Sequence, residues 1–301
     1  GSAGCLRQDR GRSDHAGRLS PRAWLAGSAP RRAGIGLRAA HHADWIAQRP
    51  DVGWFEIHAE NYFAEGGLLP HILDTLRRDL PLSIHGVGLG LASTDPFDAS
   101  HLRQLARLND RYQPAVVSEH LCWGSAHGIH YNDLLPFPFT SEMLEHVAAR
   151  VQLVQERLRR PILLEHLSSY VVFEESSLAE TEFLTELIHR TDCGLLLDLN
   201  NLVVNAENQG VDPERYVASL PADAIGEIHL AGHGHYRYGD RAMCIDTHDR
   251  PVPDRVWDLY RFTLHQLGAR PTLIEWDAEL PTLPTLAAEA HKADVCITEL
   301  V

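Results

Sequence analysis

Seven short apolar runs in this sequence finish on residues that bind metals or move protons: WFEIHAE (54–60), LSIHGVG (82–88), AVVSEHL (115–121), ILLEHLS (162–168), GLLLDLNN (194–201), IGEIHLAG (225–232) and TLIEWD (272–277). Their ends carry His58 and Glu60, His85, Glu119, Glu165, Asp198, His229, and Glu275 with Asp277. The stretch CIDTHDRP (244–251) sets Asp246 and His248 two positions apart, so that both can reach one centre. With a strand period of two, Glu56, His58 and Glu60 share a face, as do Glu227 with His229 and Glu275 with Asp277. Four neutral His beside five carboxylates (Glu119, Glu165, Asp198, Asp246, Glu275) would place about five negative charges in one desolvated mouth. Only Arg38 stands next to a strand end, and no strand contains Lys. Divalent cations are therefore the economical counter-charge, and five carboxylates balance about two or three of them. With no thiolate in the set, the candidates are iron, manganese and zinc, and His-carboxylate sites with vacant positions suit O2 chemistry at Fe(II). Asp277 is the candidate general base, or else a group that orients a ligand His.

Residues so arranged need strands that deliver them to one rim. Adding GIGL (34–37) gives eight apolar runs, alternating with helical periodicity at 101–111, 141–158 and 254–267. The pattern predicts an α/β (β/α)8 barrel of the triose-phosphate-isomerase type, whose active sites lie at the carboxyl ends of the strands. The expected organisation is a flexible, Arg-rich lead over 1–33 and a single catalytic barrel over 34–301. In such a barrel Ala231 and Gly232, just past His229, would leave room for substrate. His41, His42, His71, His101, His146, His189, His265 and His291 fall on helical or exposed segments and are expected to be solvated, whereas His120, His127, His130, His233 and His235 fall in rim loops.

Composition narrows the partners. The 301 residues carry a formal charge of −14, and the first 33 hold seven Arg against two Asp, which leaves about −19 on the remainder. A body so acidic repels phosphate backbones and anionic membranes, so neither nucleic acid nor membrane is an expected partner. Five scattered Cys without CxxC spacing suggest neither a disulfide framework nor a thiolate zinc site and fit a reducing cytoplasm.

Taken together, WFEIHAENYF, LSIHGVGLGL, VVSEHLCW, NDLLPFPFT, LLLDLNNLVVN, GEIHLAGH, IDTHDRPV and LIEWD resemble the domain-of-unknown-function 692 family, the multinuclear non-heme iron-dependent oxidative enzymes. The likeness runs from about Gly34 to Ala290. It implies a barrel akin to xylose isomerase and the apurinic endonucleases, holding two or three irons of mixed Fe(II)/Fe(III) state with O2 as co-substrate. It implies oxidation of Cys in a ribosomally synthesised precursor peptide, with a partner protein that binds the leader. Carried over, His58, His85, Glu119, Glu165, Asp198, His229, Asp246, His248 and Glu275 would ligate iron. Beyond what the resemblance carries over, Asp277 and His120 are the candidate catalytic residues, and Glu60, Asn61, His166, Asn200, Asn201, Glu227 and His233 are expected to support ligands or contact substrate. Many relatives read Glu-Asn where this chain has Glu165-His166. The rival readings are a divalent-metal hydrolase or sugar isomerase on the same barrel, and a non-catalytic metal-binding scaffold. The endonucleases carry a His three residues after the strand-six Asp, where this chain has Asn201.

Overall fold

A computed structural model describes residues 32–300. The Arg-rich lead lies outside the described residues, apart from Arg32 and Ala33. These two are fastened to the barrel: Arg32 pairs with Asp51 and Asp294, and the Ala33 amide donates to Asp294 Oδ1 at 2.6 Å.

Eight parallel strands close on themselves. In chain order they are β1 (Gly34–Gly36), β2 (Trp54–His58), β3 (Leu82–Gly86), β4 (Val116–His120), β7 (Leu163–Glu165), β8 (Gly194–Asp198), β9 (Ile225–Leu230) and β12 (Thr272–Ile274), with β12 bonded to β1. Around them run α1 (His42–Gln48), α2 (Leu68–Leu76), α3 (Ala99–Tyr112), α4 (Ser141–Leu158), α5 (Glu180–Thr191), α6 (Leu199–Gln209), α7 (Pro213–Ser219), α8 (Asp254–Leu267) and α9 (Leu283–Thr298). The expected barrel is thus the observed one, and the periodicity at 141–158 and 254–267 marks α4 and α8 to the residue.

Helix starts follow local chemistry. Asp98, Thr140, Asp212 and Thr282 each accept a backbone N–H of the first turn of α3, α4, α7 and α9. Asp198 does the same for α6 while closing β8, its Oδ1 accepting from Asn201 N at 2.7 Å. With no loop between strand and helix, the positive end of α6 is held at the rim.

Two hairpins were not expected from the sequence. β5 (Trp123–Ala126) pairs with β6 (Ile129–Leu135) after the fourth barrel strand, and β10 (Gly234–Tyr238) pairs with β11 (Arg241–Ile245) after the seventh. Their signal was present as turn glycines, Gly128 and Gly239, at positive φ between runs that alternate in polarity.

The strand alternation sorts side chains into layers. Outward residues such as Phe55, Ile57, Ile84, Val117, Leu164 and Ile228 join the main core beneath the helices. Inward residues Val116, Leu163 and Leu196 form a separate apolar floor inside the barrel. Above that floor lie Glu56, Ser83, Ser118 and Glu227, all buried, and above these the rim.

Candidate metal centre

The rim is most compact where β3, β4 and β7 end. His85 Nε2, His120 Nε2 and Glu165 Oε2 lie 3.2, 3.3 and 3.4 Å from one another. A tetrahedral ion with bonds of about 2.1 Å separates its ligand atoms by about 3.4 Å, so these three atoms already stand at coordination spacing. His85 Nδ1 meets Ser118 Oγ at 2.8 Å, which orients the ring with Nε2 toward the centre.

Glu165 is also a member of a second group with Asp198, His229 and Glu275, and Glu275 of a third with His58 and Asp277. His229 extends the network downward to Glu227 at 3.4 Å and Glu56 at 3.7 Å. Asp246 and His248 meet each other at 2.7 Å, and His248 Nδ1 stands 3.4 Å from Glu275 Oε2. Because members are shared, the groups form one continuous network. Glu165 Oε2, Asp198 Oδ2 and His229 Nε2 are buried within it without a hydrogen-bond partner among the described residues, as expected of atoms that await a cation.

Electrostatics divide the rim. Burial pushes the Glu165 carboxyl well above its usual range and Asp198 up to about 7. Burial opposes the charged form of His229 and His248, yet Glu275 with Glu56, and Asp246 with Glu275, outweigh it and hold both imidazoles well above their usual value. Burial lowers His85 strongly and His120 to about 4, so both are neutral and competent as ligands. On the opposite side Arg38 donates to Asp277 Oδ1 at 2.6 Å and to His58 Nε2 at 2.9 Å. Burial disfavours the Asp277 anion, but Arg38 outweighs it and keeps the carboxyl below its usual range. Gly36 makes this possible, because a Cβ there would lie 2.6 Å from the guanidinium.

The structure brings some of the expected residues to the network and places others apart from it. Glu119 alternates with the inward Ser118 and His120, so its carboxylate turns away from the three-atom centre and lies over Gly86, and His120 occupies the place expected for it. His166 follows the inward Glu165 and therefore faces α7, its ring 5.5 Å from Tyr216. β2 stops at His58, so Glu60 leaves the shared face; on the following 3-10 turn it accepts from Val87 N and pairs with His101. Asn61 is exposed on that turn. Gly232 admits protein and not substrate, since a Cβ there would meet Arg250 O at 2.4 Å. His41 and His146 are not solvated surface rings: they meet the carbonyls of Pro281 and Ser93. Asn200 donates to Asp246 at 2.6 Å and meets His233 at 2.7 Å, while Asn201 reaches the His166 carbonyl at 3.1 Å. Sequence reasoning missed Arg38 and Ser118 as members of the site, although the lone Arg beside a strand end was a visible signal.

Over the network opens a cavity of about 640 Å³, walled by His130, Tyr131, Leu134, Leu167 and Tyr170 from the rim loops.

With this arrangement in view, the comparisons are specific. Residues 32–298 match the family described as RiPP precursor modification enzyme MbnB/TglH/ChrH, where RiPP denotes ribosomally synthesised and post-translationally modified peptides. The chain belongs to this family. UPF0276 proteins of Anaeromyxobacter sp. (strain Fw109-5) and Chromobacterium violaceum are 48% and 49% identical to it over 261 and 265 residues, covering 86% and 88% of this chain and 90% and 94% of theirs. Among solved structures, D-allulose 3-epimerase from Methylomonas sp. is similar with a TM-score of 0.59 at 14% identity, over 88% of this chain and 96% of the epimerase. Endonuclease IV from Thermus thermophilus is similar with a TM-score of 0.57 at 17% identity, over 90% of this chain and 100% of the nuclease. The IOLI protein with a bound zinc atom gives 0.54 at 11% identity, over 90% of this chain and 99% of that protein. These structural likenesses establish the xylose-isomerase-like barrel. No helix among the described residues is long and apolar enough to cross a membrane.

Proposed function

We propose that this chain is an iron- and O2-dependent oxidase that modifies Cys residues of a ribosomally made precursor peptide in the cytoplasm, the leader being held by a partner protein. The observation that carries the reading is the continuous, thiolate-free network of His and carboxylates beneath an open cavity, in a member of a family of RiPP precursor modification enzymes. The donor set fits two or three irons: imidazole and carboxylate suit this metal, and Glu165 and Glu275 are each shared by two of the groups that would hold them. His85, His120 and Glu165 would hold one ion; Glu165, Asp198, His229 and Glu275 a second; His58 with Glu275, or Asp246 with His248, a third. Iron bound there would activate O2 and pass to it the electrons removed from Cys.

The chain's own residues do the rest. His120 is assigned to the ligand set in place of a free catalytic role, because its Nε2 stands at coordination distance from two other donors. Asp277, kept ionised by Arg38, can accept the proton of an incoming Cys thiol, and its 29% exposure leaves it within reach of substrate. Tyr131, Leu134, Leu167 and Tyr170 exclude water around the peptide, and Ser168 is placed to orient it.

The test is anaerobic loading with Fe(II), then O2 in the presence of a Cys-containing precursor and its leader-binding partner. Oxygen uptake that depends on peptide, with a change in peptide mass, is expected. Unchanged peptide, or turnover with Mg(II) or Mn(II) and no oxygen uptake, would overturn the reading in favour of isomerase or hydrolase chemistry.

A further inference from the structure

A second cluster of potential ligands lies outside the rim network, where hairpin β10–β11 meets α6. Glu207 comes from the last turn of α6, His233 and His235 from the start of the hairpin and Cys244 from its second strand, and one donor atom of each lies within 4.8 Å of all the others.

Each donor is held. His235 Nε2 stands 2.7 Å from Glu207 Oε2, and His233 Nε2 stands 3.9 Å from Glu207 Oε1. His233 Nδ1 lies 2.7 Å from Asn200 Oδ1, and the amide of Asn200 is oriented by its own donation to Asp246. A carbonyl oxygen only accepts, so the His233 proton sits on Nδ1 and its Nε2 lone pair faces the cluster. Asn208 clasps Cys244, donating to its carbonyl at 2.8 Å and accepting from its amide at 3.0 Å.

The donor set differs in kind from the rim. Two imidazoles, a thiolate and a carboxylate are the soft-to-borderline mixture that suits four-coordinate zinc, and one thiolate with one carboxylate neutralises a divalent ion. Four protein ligands leave no position for substrate, so the site is structural.

We propose that Glu207, His233, His235 and Cys244 form a closed, tetrahedral site for a zinc-class divalent ion that fastens hairpin β10–β11 to α6. The hairpin runs directly into Asp246 and His248, so the ion would fix the loop that completes the rim.

Cobalt(II) tests this, because thiolate-to-cobalt charge transfer in the near ultraviolet reports a Cys ligand and the rim network has none. The full chain, produced in medium with cobalt in place of zinc, is expected to show this band at one thiolate-bound cobalt per molecule. Cys244→Ser should abolish the band. His235→Ala, at a ring that is 60% exposed and tolerant of change, should weaken cobalt binding at this site about a hundredfold while the circular dichroism spectrum is kept. Zinc should slow amide exchange across 234–245 by at least tenfold in the parent chain and not in His235→Ala. Absence of the band in the parent, its persistence in Cys244→Ser, or unchanged affinity in His235→Ala would overturn the site, and unchanged exchange would overturn the fastening.

Discussion

The two sides of the barrel mouth carry similar ligands but solve the same charge problem differently. Beside β1 and β12, Arg38 lies against Asp277 and Glu275; against the opposing effect of burial, Arg38 holds the Asp277 carboxyl below its usual range, and His248 and His229 hold Glu275 well below its own. Across the mouth, Glu165 and Asp198 meet no such cation among the described residues, and burial drives both toward the neutral form. The difference teaches where a metal would matter most. The Arg38 side carries a cation of its own, whereas on the side of His85, His120, Glu165 and Asp198 a bound metal would supply the charge that favours the ionised carboxylates.

The largest effect that would break this comparison comes from Glu165→Gln. Glu165 is the one carboxylate shared by the three-atom centre and the group holding Asp198. Its loss is expected to remove at least one metal per chain by elemental analysis and to lower turnover by roughly a hundredfold or more. A full metal complement in Glu165→Gln would show that the sides do not communicate through it.

Next is pH. In the metal-free chain, Glu165, Asp198, His229 and His248 all have folded-state values above their ordinary ones. A raised group of either kind contributes stability that is complete below its unfolded value and is lost as pH rises through the folded one. The metal-free protein should therefore melt at lower temperature at pH 7.5 than at pH 5.5. Metal binding displaces these protons, so affinity should rise about tenfold per pH unit for each proton released, through pH 6 to 7. Calorimetric titration at the two pH values checks the slope, and a flat profile would mean that the buried carboxyls are already ionised.

Arg38→Met should be milder and selective. Removing the cation leaves Asp277 and Glu275 uncompensated, at a cost of about 3 kcal/mol in the metal-free chain. Added metal should restore much of the loss, because it can take over the role of the guanidinium. Melting curves with and without Fe(II) measure the difference, and equal losses in both would mean that Arg38 acts through packing alone.

The smallest effect is expected of Glu119→Gln. Its carboxylate lies over Gly86 and outside the three-atom centre, so metal content should match the parent, whereas His120→Ala should lose an ion. The opposite result would restore Glu119 to the ligand set.

Much of this was legible in the chain. GLLLD and IGEIHL read as buried parallel strands because they are apolar wherever they touch helices, and the end of each run announced a ligand by chemical type. Less legible was which neighbour faces inward. Glu119 and His120 are both ligand types, and only the register of β4 against β3, which pairs Ser118 with His85, settles that His120 shares the inner face. Glu60 was misread for a related reason: periodicity assumes that the strand continues, and β2 gives way to a turn after His58.

What the sequence by itself determined was the barrel, the rim and the types of donor gathered there, because burial periodicity and donor type are local properties of the residues. Tertiary structure alone decided which donors meet. Glu165 reaches His85 across 80 positions of sequence, Arg38 meets Asp277 where β12 closes onto β1, and Cys244 comes beside Glu207, all because barrel closure and hairpin docking bring distant segments within a few ångströms, and no local pattern encodes such distances.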